Sequence, residues 1–266
     1  MAEPRRLGST TYLLPGSPAT LLKLVEETGR VTVVDPGSER ERAKAIAEAV
    51  ESIGGRPGPI ALTHGHSDHV VAAQSLGWRP VYAPRHCIAF VESFWARRLL
   101  AYGGRVSDRH VAHPPSEVRV DYWVVDGNPL PGLRAIALPG HTPGHTGYLV
   151  ADDGILYAGD AVFGEEVLER FGIPFAYDLR EFARSLEKIA RYVDEGYKLV
   201  PSHGPVAEGG RARAMIEANA RRIEEARELV LTLLGEKPMT VDELAYRVTV
   251  ELTKREPSTR EVMLNR

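Results

Sequence analysis

The chain has 266 residues, a formal net charge of -3 and one cysteine, Cys87. That length supplies a core for one large α/β domain, alone or with a small appendage, and needs no covalent or metal staple to fold. An intramolecular disulfide, a chain broadly coated in basic charge for nucleic acid, and a membrane span of ~20 apolar residues are excluded.

Thr10 to Leu14 and Thr20 to Val25 read as short strands, and Val31 to Val34 is a β-branched run stopped by the turn Asp35-Pro36-Gly37. Ser38 opens a helical pattern through Ile53, with Ala43, Ile46, Ala47 and Val50 on one face. Ile60 to Leu62 is an apolar strand, followed at once by His64-Gly65-His66-Ser67-Asp68-His69 and a short helix to Leu76. A strand at Val81 to Ala83 precedes a helix over Ile88 to Leu100. Strands are expected at Val118 to Val125, Leu133 to Leu138, Tyr148 to Val150 and Ile155 to Ala158. A helix over Leu179 to Val193, a strand at Lys198 to Val200 and a long helix from Arg211 to Leu234 complete residues 1–234 as the main domain. Short helices at Asp242 to Val250 and Thr259 to Leu264 make 235–266 a small helical appendage. Strands and helices therefore alternate in two blocks, split near residues 100–117.

Two features of composition place the protein. The charged start, Met1 to Ser9, lacks an apolar signal core, which predicts a cytoplasmic protein. Gln74 is the one glutamine and Asn128, Asn219 and Asn265 are the asparagines, a scarcity of thermolabile amides that predicts a thermophilic source.

Five of the nine histidines, His64, His66, His69, His141 and His203, directly follow strands in Gly- or Pro-rich turns. Such turns are where a rigid scaffold presents functional groups. Alternate residues of an extended turn point the same way, so His64 and His66 converge on one ion, while Asp68 and His69 face elsewhere and begin an adjacent site. Imidazole and carboxylate suit zinc, with iron and manganese as alternatives. Packed together without metal, these residues would repel on protonation and add little core. His86, His110 and His113 read as solvated or pocket-lining side chains. Cys87 reads as a small buried apolar residue.

Thr63 to His69 resembles the signature of the metallo-β-lactamase superfamily. Pro139-Gly140-His141-Thr142-Pro143-Gly144-His145-Thr146 is similar to its second motif in the glyoxalase II-like form, Gly159-Asp160 to its third, and Ser202-His203-Gly204 to its fourth. Order and rough spacing match over residues 10 to about 205. The resemblance implies a four-layer αβ/βα sandwich with metals in a cleft between two sheets and a C-terminal helical tail. It implies that His64, His66 and His141 hold one ion, that Asp68, His69 and His203 hold a second, and that Asp160 bridges them. Asp35 would buttress the site, and His145 would be a structural hydrogen-bonding histidine. Asp68 and Asp160 are then the catalytic carboxylates of a dinuclear hydrolase, which uses a hydroxide made at the two ions on a small ester, thioester or lactone.

Some segments depart from the family or stand outside it. Val70-Val71-Ala72 replaces the small glycines frequent after the Asp-His pair, which predicts altered room for substrate. The run from Phe163 to Tyr177 reads as a long apolar loop beside the metals, with Phe175 and Tyr177 as candidate substrate contacts. Phe90, Phe94, Trp95 and Tyr102, with Arg97 and Arg98, read as a helix packed on the core or on the second copy of a homodimer, or as a wall over the metals. Arginines 211 to 227 alternate with Glu217, Glu224, Glu225 and Glu228, as a solvated, salt-bridged face does. The tail over Ala220 to Ala245 is similar to that of β-lactamase-like protein 2 relatives, some of which cut RNA. A nuclease or phosphodiesterase, or a non-hydrolytic iron-binding member, are accordingly the alternatives.

Overall fold

In the computed structural model, residues 3–38, 40–103 and 116–265 are described; His110 and His113 lie outside them. The first sheet begins with four antiparallel strands, β1 (Arg5–Arg6), β2 (Thr11–Leu14), β3 (Thr20–Val25) and β4 (Arg30–Val34). Three parallel strands continue it in sequence order, β5 (Arg56–Ala61), β6 (Val81–Pro84) and β7 (Tyr122–Val124). The second sheet contains β8 (Pro129–Leu130), β9 (Leu133–Ala137), β10 (Thr146–Val150), β11 (Ile155–Gly159) and β12 (Lys198–Pro201). Its spatial order is the reverse of the sequence order, and the β11–β12 pair alone is parallel.

Strand periodicity explains why the sheets stack face to face. Leu21 and Val34 are register partners whose side chains enter the core between the sheets, where Ala61, Tyr148, Tyr157 and Val200 meet them. The adjacent pair Leu22 and Val33 points the other way, onto Ile46, Ala49 and Val50 of α1 (Arg40–Ser52). In the second sheet Leu149 and Leu156 face outward, onto Phe182 and Ile189 of α6 (Leu179–Asp194) and Ile216 of α7 (Gly209–Glu236). The layers thus run helix, sheet, sheet, helix, the expected sandwich. Hydrogen bonds also cross between the sheets: Tyr148 Oη donates to the Leu62 carbonyl at 2.8 Å, Tyr157 Oη to that of Ala19 at 2.7 Å, and the Thr146 amide to that of Thr63 at 2.9 Å.

The remaining helices frame one end of the cleft. They are α2 (Ser67–Leu76), α3 (Ile88–Glu92), α4 (Phe94–Tyr102), α5 (Glu165–Phe171), α8 (Val241–Thr253) and α9 (Thr259–Leu264). The helix expected over Ile88 to Leu100 is broken at Ser93, whose extended backbone ends α3 while its hydroxyl accepts the Ala96 amide and caps α4. The loop expected from Phe163 to Tyr177 contains α5, with Leu168 buried against α6 and α7. The strand expected over Val118 to Val125 shrinks to Tyr122–Val124, and the two-residue strands β1 and β8 have too few residues to show alternation.

The C-terminal helices pack on α4, α5 and α7. The Asn265 amide nitrogen donates to the Phe171 carbonyl at 2.6 Å and to Thr249 Oγ1 at 2.9 Å. Hydrogen bonds from the Arg255 guanidinium and the Ser258 amide outweigh burial and hold Glu261 at about 2. Along α7, Arg221 pairs with Glu217, Arg222 with Glu225 and Arg227 with Glu224. Among the described residues no helix is long and apolar enough to cross a membrane.

Candidate metal centre

The seven residues singled out in sequence come together at the mouth of the cleft. His64 and His66 follow β5 and are fixed where the chain turns into α2, which carries Asp68 and His69. His141 sits between β9 and β10, Asp160 directly after β11, and His203 after β12. Glycine makes two of these turns. Gly140 holds φ at 126°, where a Cβ would stand 2.2 Å from the Phe182 amide nitrogen. Gly159 holds φ at 58°, where a Cβ would stand 2.6 Å from His145 Nε2.

His64 Nε2, His66 Nδ1 and His141 Nε2 form a triangle with sides of 3.0, 2.9 and 3.2 Å. A tetrahedral ion with bonds of about 2.0–2.1 Å spaces its donors about 3.3 Å apart, so the triangle matches one face of such a site. A second group, Asp68, His69 and His203, has donor atoms within 4.8 Å of one another. Asp160 stands between them: Oδ2 is 3.4 Å from His141 Nε2 and 3.6 Å from His203 Nε2, and Oδ1 is 3.4 Å from His69 Nε2. His69 Nε2 and Asp160 Oδ1 are buried without a hydrogen-bond partner. Buried polar atoms are normally satisfied, so these two fit residues arranged to hold a cation.

The outer nitrogens of four of these rings are engaged as well, whereas His66 Nε2 is buried with no partner among the described residues. Asp35, buried at φ 50°, accepts the Thr63 amide at 2.9 Å, Thr63 Oγ1 at 2.7 Å and His69 Nδ1 at 2.8 Å. His64 Nδ1 donates to Thr63 Oγ1 at 2.9 Å and His141 Nδ1 to the Phe175 carbonyl at 2.6 Å, and His203 Nδ1 shares a hydrogen bond with Ser17 Oγ at 2.8 Å. In His64, His69 and His141 the acceptor fixes a proton on Nδ1, which leaves Nε2 as the atom facing the centre. His145 has the opposite arrangement, with Nε2 accepting the Asp160 amide at 3.0 Å, so it orients Asp160 and points no lone pair at the centre.

Electrostatics separates the two groups. Burial, then the neighbouring imidazoles, pushes His64 well below the usual histidine range, and burial with His141 pulls His66 down to about 3. Burial also lowers His141. These three are neutral donors. For His69 and His203 burial opposes the charge, but Asp160 with its carboxylate neighbours outweighs it and raises both. Asp68 and Asp160 are held well below the carboxylate range, because His69 and His203 overcome the penalty of burial. The carboxylates around His69 and His203 thus favour positive charge at that point, which a divalent ion would supply.

A cavity of about 410 Å³ opens over the centre, with Asp68, His66, His141, Asp160 and His203 in its lining. Phe163, Phe171, Ile173 and Phe175 supply apolar wall, and α4 supplies Arg97, Arg98 and Tyr102. The α4 segment is therefore a cavity wall. Of the two candidate substrate contacts, Phe175 lines the cavity, whereas the Tyr177 side chain is 69% exposed and outside the lining, and its amide donates to the His141 carbonyl. Val70, Val71 and Ala72 are buried and outside the lining. Cys87 is buried as expected.

The metallo-beta-lactamase superfamily profile matches residues 19–203, a stretch that includes every one of these donors. The chain belongs to the metallo-beta-lactamase superfamily. Within it, this chain is similar to a hydroxyacylglutathione hydrolase of Acidiphilium cryptum, at 31% identity over 53% of this chain and 48% of the relative. It is also similar to a beta-lactamase-like protein 2 homolog of Caenorhabditis elegans, at 26% identity over 91% of this chain and 70% of the relative. The chain thus spans about half the length of the first of these relatives. Among solved structures, the metallo-beta-lactamase family protein TTHA1429 of Thermus thermophilus superimposes with a TM-score of 0.67 at 21% identity, over 100% of this chain and 89% of that one.

Sequence reasoning missed Ser17, Glu166 and Asn265, all in the cavity lining. Ser17 precedes Pro18 in a turn that ends beside His203, and no motif or periodicity marks it. Glu166 lay inside a segment read as loop, and Asn265 reaches the cavity only because α9 docks on α4.

Proposed function

We propose that this protein is a dinuclear metal-dependent hydrolase acting on a small ester, thioester or lactone. The observation that carries the reading is the convergence of seven donors into two groups joined by Asp160. His64, His66 and His141 would hold one ion, and Asp68, His69 and His203 a second, with Asp160 shared; zinc is the expected metal, and iron or manganese would suit the same donors. When bound, two divalent ions polarise a carbonyl oxygen and bring the pKa of water toward neutrality.

The chain's own residues do the rest. Asp35, Thr63, Ser17 and the Phe175 carbonyl hold the imidazoles in one orientation. The Asp68 carboxylate lines the cavity, where it accepts a hydrogen bond from water and orients it. Phe163 and Phe175 exclude bulk water beside His141, which strengthens every charge interaction there. The cavity's size falls in the range of small-molecule sites, which favours a compact substrate over a polynucleotide. The relative named hydroxyacylglutathione hydrolase supports hydrolysis of an acyl compound.

The test is a panel of thioesters, lactones, phosphodiesters and RNA, run with metal-reconstituted protein and with Asp160→Ala. The expected result is about two ions per chain and turnover of a thioester or lactone, both lowered in the variant. Folded protein that takes up no metal, or turnover confined to phosphodiesters or RNA, would overturn the reading.

A further inference from the structure

The segment that follows α5 carries a periodicity of two into the cavity. Phe171, Ile173 and Phe175 line it and are partly buried, while Gly172 and Pro174 between them are fully buried. Phe175 adjoins the centre, its ring 5.2 Å from that of His66 and 5.4 Å from that of His141. Phe171 lies at the other end of the row, where its carbonyl accepts the Asn265 amide nitrogen. Gly172 holds φ at 82°, and a Cβ there would stand 3.2 Å from Leu252 and Thr253 of α8. The C-terminal helices therefore brace this wall and fix the direction of its three side chains.

The buried polar groups beside the wall are already spent. Arg97 gives its terminal N–H groups to the carbonyls of Phe90, Val91 and Ser116 and to Ser116 Oγ, and its Nε is buried. The Asn265 amide nitrogen serves Phe171 and Thr249. The Arg98 guanidinium lies over the rings of Phe94 and Trp95. Glu166 and Arg170 of α5 are exposed and solvated by water. A polar body laid along the wall would lose water without gaining a partner, whereas an apolar one would cover three side chains that the fold leaves partly wet.

We infer that the substrate of this site carries an apolar chain, seated along Phe171, Ile173 and Phe175, with its scissile group at the metal centre. This inference rests on the hydrolase reading above. It narrows the substrates from small esters in general to esters or thioesters of an uncharged aliphatic chain.

Two neutral series test it. In the first, the acyl part of N-acetylcysteamine thioesters grows from acetyl through butyryl to hexanoyl. In the second, the S-alkyl part of thioacetates grows from ethyl through butyl to hexyl. Each kcat/KM is divided by the rate of the same compound with hydroxide, which removes differences in intrinsic reactivity. In at least one series the quotient should rise about two- to fourfold per methylene, as burial of each group on the wall requires. Ile173→Asn, at unchanged metal content, should flatten that rise. A variant that lowers every member alike and keeps the rise would overturn the seat on this wall. If the variant unfolds, the wild-type series decide the matter. No rise in either series would overturn the inference and leave the hydrolase reading standing. If no member is cleaved by protein holding two ions, the hydrolase reading fails. Calorimetric titration of the uncleaved compounds then decides the inference: affinity that grows with chain length supports it, and equal affinity overturns it.

Discussion

Replacing Asp35 by Asn isolates the support of one ligand from the ligand itself. The side chain keeps its size, and Asn tolerates the φ of 50° that this position requires. Asp35 receives four donors: the Thr63 amide on one oxygen, and the Thr63 hydroxyl, His69 Nδ1 and the Tyr157 hydroxyl on the other. An amide has one accepting oxygen, so one orientation sets its NH2 against His69 and the other sets it against the Thr63 amide. In the first case His69 relieves the clash by moving its proton to Nε2, which removes the lone pair facing the centre. In the second, a buried N–H is left unsatisfied, at a cost of about 1–3 kcal/mol. Loss of such an outer partner weakens metal binding about 10- to 100-fold, or about 1.4–2.8 kcal/mol. Chelator competition followed by elemental analysis reads the affinity, and a thermal melt of the metal-free protein reads the stability, with roughly 3 °C expected per kcal/mol. Unchanged affinity together with an unchanged melting point would refute the argument that Asp35 sets the His69 tautomer.

Ser17→Ala should weaken the second ion selectively, because its hydroxyl shares a hydrogen bond with His203 Nδ1 at the rim while the His64, His66 and His141 triangle has other supports. Water can reach this exposed position, so the loss is set at about tenfold; stepwise cobalt titration followed by absorbance reads it, and equal weakening of both ions would contradict it. Burial pushes the Cys87 thiol up to about 11, against hydrogen bonding from Thr142. At pH 8 the thiolate is then about one part in a thousand, so a disulfide reagent should label Cys87 only on unfolding; prompt labelling of folded protein would show the burial to be wrong.

Legibility in the sequence followed the range of the interactions. His64 to His69, His141, Asp160 and His203 sit at strand ends beside glycines, where local pattern and position coincide, and the sandwich followed from apolar runs such as Val31 to Val34. Thr20 to Val25 was readable to the residue because its alternation serves two different cores. Ser93 hid a break inside an apolar helical pattern, since a cap depends on one backbone turn. The helix α5 hid because its aromatic neighbours suggested an apolar loop. Arg97, Ser17 and Asn265 take their places through tertiary contacts that include residues 19, 186 and 94 positions away, and Tyr177 showed that an aromatic residue near a site in sequence can still face solvent.

The donors are divided between the two sheets. His64, His66, Asp68 and His69 belong to the first, and His141, Asp160 and His203 to the second. Neither half can complete a coordination sphere, so a chain emerging from the ribosome amino end first must await His203 and the docking of its second sheet. Metal capture would therefore be a late event in maturation. Once made, it clasps two halves that were synthesised in succession, and withdrawing the ions should loosen the seam between them before either half melts.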